Sequence, residues 1–250
     1  MPELPEVETT RRGILAVVGG TISAVDVRRA GVIEGAREPA ALLMGCRVTQ
    51  VLRWGKELLI GGKTGKHAEE RAIGVHLGMT GSLRLYQAQP TEDRRKHTHV
   101  VWTLADGRRL EFHDPRRFGG VWTFTSMQEA QALRWTKLGP DALIITPTQL
   151  HAGLQRTRRA LKAALLDQTV IAGLGNIYVD ELLFRAGVHP GLRASRLRLE
   201  RVEMMVPLMR DLLRRAIRGR GSTVRDYLDG EGKQGSFQFQ HQVYGRGGEA

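Results

Sequence analysis

One cysteine in 250 residues leaves Cys46 with no partner in the chain, so no internal disulfide staples the fold. Its setting, ALLMGCRV, is that of a small buried residue, and no role is expected of it. Nowhere do about eighteen apolar residues run together, which removes a membrane-spanning helix. The N-terminus also lacks the charged-then-apolar pattern of a secretory leader. Neither membrane insertion nor export is indicated, and a cytoplasmic location is expected. No internal repeat divides the chain.

What the sequence does hold is hydrophobic residues and positive charge. A 41% hydrophobic content over this length suffices for one large packed domain or two modest ones. Thirty-eight Lys and Arg against 26 Asp and Glu leave a net charge of +12, and the excess is spread over both halves. That is the footprint of a protein that neutralises phosphates, although charge alone does not separate DNA, RNA and anionic membrane as partners.

Periodicity changes along the chain. Between Thr21 and Ser126, TISAVDV, CRVTQVLRW, ELLIGG, RAIGVHL, SLRLYQ, HVVWTL, RLEFHD and GGVWTFT are short, rich in β-branched and apolar residues, and spaced as strands of an antiparallel sandwich or barrel. Asp106-Gly107 between two of them predicts a hairpin. Val7, Ile14, Leu15 and Val18 share one face of an opening helix. From about Thr148 the period is helical: Leu161, Leu165 and Leu166, then Ile177, Leu182 and Leu183, then Val202, Met205, Met209 and Leu212. Pro207 inside the last stripe predicts a kink or a split. A linker is expected in LGPDALIITP, residues 138–147, where Gly139-Pro140 and Pro147 interrupt both patterns.

The chemistry begins in MPELPEVETT. Pro5 suits a first helical turn, and Glu6 and Glu8 complement the positive end of the helix dipole. Pro2 and Glu3 are left over. With Met1 removed, Pro2 presents a secondary amine, and an N-terminal amine of pKa about 7.7–8.0 is neutral in roughly a tenth of molecules at pH 7. Glu3, next to it, is placed to exchange protons with whatever the amine attacks. Taken alone, a structural lead-in to the helix is the simpler account of both.

PELPEVETTRRG, HLGMTGSLR, DPRRFGG, GLGNIYVDELLFRAGVHP and GSTVRDYLDGEGKQGSFQFQHQVYGR occur in this order, and together they resemble the formamidopyrimidine-DNA glycosylase family of DNA-repair enzymes over nearly the whole chain. Leu4 fits the oxidised-purine branch, since the oxidised-pyrimidine sibling, endonuclease VIII, typically has Gly there. The resemblance implies an α+β two-domain fold. Residues 1–137 would form an N-terminal catalytic antiparallel β-sandwich flanked by the N-terminal helix, 138–147 a linker, and 148–250 a helical domain with a helix-two-turn-helix motif and a lesion-capping loop.

It also implies a bifunctional glycosylase and AP lyase that excises 8-oxoguanine and formamidopyrimidines from duplex DNA through a Pro2 iminium, followed by β,δ-elimination. Glu3 would shuttle protons at the sugar ring oxygen, Glu6 would support it, and Lys56, read as a strand lysine, would lie near the reacting nucleotide's phosphate. Met79, Arg116 and Phe118 match the residues that fill the gap left by an extruded base. His76, Asn176 and Tyr244 match backbone contacts, with Asn176 heading a helix whose free N–H groups form a phosphate site. Ser222, Thr223, Val224, Arg225 and Tyr227 match the lesion loop, with Gly219 and Gly221 giving it mobility. The partner implied is double-stranded DNA with oxidised bases or abasic sites, met by a monomer in a cytoplasmic, nucleoid-associated setting.

The departure is zinc. The family normally continues past QVYGRG into a four-cysteine zinc finger, whereas this chain stops at GGEA with no cysteine after Cys46. Zinc is expected in the full-length family member, truncation is expected here, and DNA affinity should suffer without the finger. No zinc site can be built from the residues present; His97 and His99 in HTHV have ligand-like spacing on one strand face but no companions. An endonuclease VIII-like pyrimidine glycosylase and a non-catalytic DNA-binding protein remain open alternatives.

Overall fold

All eight segments predicted as strands form strands, and they stack as two sheets. The computed structural model describes residues 2–65, 68–87, 96–223 and 234–246. Helix α1 (Leu4–Ile14) is followed by β1 (Ile22–Val27), β2 (Ile33–Glu34), β3 (Cys46–Trp54), β4 (Glu57–Thr64), β5 (Glu70–His76), β6 (Ser82–Tyr86), β7 (Thr98–Leu104), β8 (Arg109–His113) and β9 (Gly120–Phe124). Helices α2 (Met127–Arg134), α3 (Pro147–Gln155), α4 (Leu161–Leu166), α5 (Asn176–Arg185) and α6 (Leu199–Arg218) complete the order.

One sheet runs β1-β7-β8-β6 and the other β2-β9-β5-β4-β3. The pairings are antiparallel apart from the short parallel contact of β2 with β9. In β3, Cys46 and Val48 face inward and Arg47 and Thr49 outward; an irregularity between Val48 and Gln50 then shifts the alternation so that Val51 meets the core. The predicted hairpin joins β7 to β8, with Gly107 at φ +89° in its turn. Inner faces of both sheets share one core with Val7 and Ile14 of α1, which makes the two sheets a sandwich closed by that helix.

Two elements escaped the sequence reading. β2 is two residues long, too short to show alternation. α2 carries a legible signal in Ser126-Met-Gln-Glu129: the Ser126 hydroxyl accepts the Glu129 N–H at 3.1 Å and caps the helix.

Helices α3 to α6 enclose a second core, and Leu4 of α1 is fully buried within it. The opening helix therefore serves both cores. Pro207 neither splits nor ends α6, which runs unbroken for 20 residues. Pro207 and Glu203, whose carbonyl loses its helical donor, both lie on the exposed face, where water can satisfy that carbonyl.

Pro207→Ala restores that donor at no loss of packing. It is expected to stabilise the protein by about 1–3 kcal/mol, raising Tm by several degrees in a thermal melt; a lowered Tm would show that the proline shapes the buried Met205 and Met209 face.

Candidate active site and nucleic-acid interface

The N-terminus of α1 meets the N-terminus of α5, and the glycines of GLGN make the approach possible. Leu4 N–H donates to the Gly173 carbonyl at 3.0 Å. Gly173 sits at φ +114° with the Leu4 side chain where a Cβ would point. A Cβ on Gly175 would collide with the Glu3 carboxyl. That carboxyl accepts the N–H groups of Gly175 at 2.6 Å, Ile177 at 3.0 Å and Tyr178 at 3.4 Å. The helix start predicted to offer free N–H groups to a phosphate is thus already occupied by the chain's own anion. Asn176, first residue of α5, stays exposed beside it.

Glu3 is 2% exposed, and Pro2 is buried with it. Burial lifts the Glu3 pKa to about 7, against the Lys56 charge and the Ile177 and Gly175 hydrogen bonds that pull it down, while Glu6 adds to the rise. Glu6, 1% exposed, accepts the Glu3 N–H at 2.9 Å, the Tyr178 hydroxyl at 2.6 Å and the Ser222 N–H at 2.8 Å. Burial raises Glu6 too, and these donors restrain the rise. Gly221, at φ +80°, is pressed against Glu6 so closely that a Cβ would stand 2.8 Å from its Oε1. In this arrangement the glycine permits the close approach to Glu6.

Lys56 is not in a strand. With Gly55 it forms the two-residue turn between β3 and β4, where Trp54 pairs with Glu57 and Gly55 supplies the positive φ (+56°) such a turn asks of its first position. Burial lowers the Lys56 pKa, and the charges of Glu3 and Glu6 oppose that. The turn is anchored from below. Asp141 accepts the Gly55 N–H at 2.8 Å and pairs with Arg53, which also reaches Glu8 at 3.1 Å. Burial alone would raise Glu8, but Arg11, Arg12 and Arg53 hold it at about 2.

A second cluster forms where the β5–β6 and β8–β9 loops touch. The fully buried Asp114 accepts the Thr80 hydroxyl at 2.6 Å and the N–H groups of Gly119 at 2.8 Å and Arg116 at 3.2 Å. The backbone of Gly78 lies against Phe118 and Gly119. Met79, Arg116 and Phe118 are thereby brought together and left exposed; Phe118 shows 57% of its surface, and the Arg116 guanidinium lies 4.9 Å from its ring centre. At the end of β5, His76 Nδ1 accepts the Gly78 N–H at 3.0 Å. Burial lowers the His76 pKa, with Glu57 raising it and Arg134 and Lys56 lowering it.

Tyr244 packs beside the helical core, and its N–H donates at 3.1 Å to Glu181, a fully buried carboxylate on α5 that also accepts Gln242 and Val243. Ser222 and Thr223 are held by Glu6 and by Gln238, while Val224, Arg225 and Tyr227 lie outside the described residues. Tyr178, Asp114, Glu181 and Arg53 escaped the sequence reading. Each is a polar residue enclosed by segments distant in sequence, which no local pattern shows.

The residues present do not fit zinc. Among the described residues no group of three or more His, Cys, Asp or Glu could hold a metal ion, and Cys46 is buried in β3. His97 precedes β7 and packs edge-on to His113, while the buried His99 is engaged at 2.8 Å with the Asp114 carbonyl.

Comparison with known proteins gives the same frame. The formamidopyrimidine-DNA glycosylase N-terminal domain matches residues 1–121, and the formamidopyrimidine-DNA glycosylase H2TH domain matches residues 138–227. A formamidopyrimidine-DNA glycosylase of Bacillus subtilis strain 168 is 42% identical over 252 residues, 98% of this chain and 88% of its own length. The MutM (Fpg) protein of Thermus thermophilus matches at 38% identity with a TM-score of 0.83, covering 98% of this chain and 88% of that one. A mutant Lactococcus lactis Fpg in complex with a Fapy-dG-containing DNA matches at 31% identity with a TM-score of 0.85, over 99% and 90%. The class is that of DNA-repair glycosylases that join such a sandwich to a helical half. The chain belongs to the formamidopyrimidine-DNA glycosylase family.

Gly175→Ala is expected to displace the Glu3 carboxyl, cutting base excision by at least tenfold and stability by about 1–3 kcal/mol, the scale of overpacking in a tight core. Excision assays and denaturant melts check both, and an unchanged rate would show that this seat is not needed for activity.

Proposed function

We propose that the chain is a bifunctional DNA glycosylase and AP lyase that removes oxidised purines, 8-oxoguanine and formamidopyrimidines, from duplex DNA. The observation that carries this reading is the Glu3 carboxyl, next in sequence to Pro2, seated on α5 and poised at about 7. With Met1 removed, the Pro2 amine attacks C1′ of the extruded nucleotide, the glycosidic bond breaks, and the base departs with the proton that the amine nitrogen loses. Glu3, protonated in about half of molecules near neutral pH, protonates the sugar ring oxygen. The ring opens and a Pro2–C1′ iminium remains. The resulting Glu3 carboxylate then serves as the base in elimination at the 3′ and 5′ phosphates. Glu6 fixes the Glu3 backbone N–H, and Lys56 supplies a cation beside both carboxyls for the reacting nucleotide's phosphate.

The exposed trio answers the problem of base extrusion. Unstacking costs a few kcal/mol, and Met79 and Phe118 offset it by filling the vacated space, while the Arg116 fork pairs with the orphaned cytosine. His76, Asn176 and Tyr244 take backbone phosphates, and the segment opening at Ser222 and Thr223 closes over the lesion. The +12 charge supplies general attraction to DNA. In this reading the enzyme works as a monomer at the nucleoid; among the described residues no helix is long and apolar enough to cross a membrane.

Borohydride trapping on duplex DNA with 8-oxoguanine opposite cytosine is expected to give a covalent band that Pro2→Gly abolishes and Glu3→Gln sharply reduces, with DNA binding largely kept. Binding without any band in the parent chain would favour a non-catalytic DNA-binding protein, and a band only on oxidised pyrimidines would favour the sibling specificity. The excision rate is expected to break near pH 7. Because the Lys56 charge lowers the Glu3 pKa, Lys56→Met moves the break to higher pH, and a downward shift would exclude Glu3 as its source.

Arg116→Ala is expected to weaken discrimination for cytosine opposite the lesion by about 1–3 kcal/mol, measured as the ratio of excision rates across the four partner bases. An unchanged ratio would remove the role given to Arg116.

A further inference from the structure

We infer that His241 is a positioning residue for the active-site carboxylates, acting on Glu6 through Ser222 and Tyr178. This rests on the functional reading above. The side chains form one connected path: His241 Nε2 lies 2.9 Å from Ser222 Oγ, which lies 3.3 Å from the Tyr178 hydroxyl, which donates to Glu6 Oε1 at 2.6 Å. Ser222 touches Glu6 a second time through its own N–H at 2.8 Å, so a shift of Ser222 moves two of the donors that hold that carboxylate.

The imidazole is built into place. Its ring stands edge-on to Phe237 and to Tyr244, each with centroids 5.8 Å apart, and Phe237 is fully buried in the helical core. The ring is half-buried, so it exchanges protons with solvent while the other end of the path is closed off.

The path has a direction, and His241 sets it. Ser222 has one hydroxyl proton. When His241 is neutral with its proton on Nδ1, Ser222 donates to Nε2 and gives nothing to Tyr178. When His241 is protonated, Nε2–H donates to Ser222, which turns its proton to the Tyr178 oxygen and strengthens the Tyr178 bond to Glu6. The protonated form therefore stabilises Glu6 as an anion, which by like-charge repulsion favours protonated Glu3. The charged groups around the ring are Glu181 and Arg185 of α5, with Glu6 of α1 beyond Ser222 and Tyr178. Burial lowers the His241 pKa from the usual 6.5, with Glu181 opposing and Arg185 assisting.

The experiment compares the full 250-residue chain with His241→Gln, which can still bond Ser222 but cannot titrate, and His241→Leu, which fills the space without bonding. Single-turnover excision of 8-oxoguanine opposite cytosine is followed from pH 5 to 8, alongside NMR titration of the histidine rings and binding to the same duplex. His241→Leu is expected to slow excision at least tenfold with Kd within about twofold. His241→Gln is expected to stay within about threefold of the parent rate at pH 7 but to lose the inflection that the parent shows at the His241 NMR pKa. Tyr178→Phe, which cuts the path, shifts that NMR titration.

Parent-like rates in His241→Leu, an inflection that survives in His241→Gln, or a His241 titration unmoved by Tyr178→Phe would each overturn the inference. The NMR arm needs no turnover. A parent chain that excises nothing would thus defeat the glycosylase reading while a Tyr178-dependent His241 titration still upheld the path.

Discussion

The structure depends on one carboxyl placed at one helix start. Glu3 supplies, from inside the chain, the anion that the N-terminus of α5 would otherwise seek from solvent or ligand. Desolvating a carboxylate costs several kcal/mol, and three backbone N–H groups with the helix dipole behind them offset much of that. The offset is incomplete, and the incompleteness is chemically useful: the group stays ionisable near pH 7 rather than locked as an anion. Because the contact spans more than 170 residues, it also draws Leu4 into the helical core while Val7 and Ile14 remain in the sandwich core. The two halves cannot part without uncovering one core or the other.

A second set of buried charges keeps that junction in register. Arg53 on β3 lies between Glu8 of α1 and Asp141 of the segment joining the halves, and the same Asp141 holds the Gly55 N–H in the turn that presents Lys56. Trp54 adds an indole hydrogen bond to the Gly139 carbonyl at 2.9 Å. The interhalf segment is thus pinned at Gly139 and Asp141 to the end of β3 and to the turn that carries the lysine. Such a network is weak grounds for stability, since well-packed apolar residues could do as well. What it fixes is geometry: a cation near two carboxyls, held by backbone and guanidinium contacts that leave the turn little freedom.

Legibility followed physical range. Strands declared themselves through alternation and helices through apolar stripes, because those periods are local consequences of burial on one face. Ser126 and Glu129 mark α2 through an equally local signal, a serine cap on the N–H three residues on. Of the two outcomes expected at Pro207, the split does not occur, because the Glu203 carbonyl that loses its donor lies on an exposed helix face where water can satisfy it. In the site, Pro2, Glu3, Glu6 and Lys56 were legible through family motifs, as was the grouping of Met79, Arg116 and Phe118. The partners that give those residues their properties were not. Tyr178 under Glu6, Asp114 under the exposed loops and Glu181 under the Tyr244 segment act across 30 to more than 60 residues of chain, or 172 for Tyr178. The GLGN motif shows the limit most plainly: it reads as an open anion site, and only the fold reveals that the anion is already there.

Glu3 and Glu8, at the start of α1, put opposite slopes on stability. Glu3, raised from 4.5 to about 7, takes up a proton on folding, so its contribution is full below 4.5 and is lost as pH rises through 7. Glu8, lowered from 4.5 to about 2, releases a proton on folding, so its contribution is full above 4.5 and is lost as pH falls toward 2. Two residues at the start of one helix thus differ in what surrounds them: three arginines around Glu8, and for Glu3 a dry seat with one lysine partly compensated by another carboxyl. The first arrangement favours the folded state at physiological pH. The second works against it there, because a buried carboxyl left titratable near neutral pH carries an uncompensated desolvation cost once it ionises.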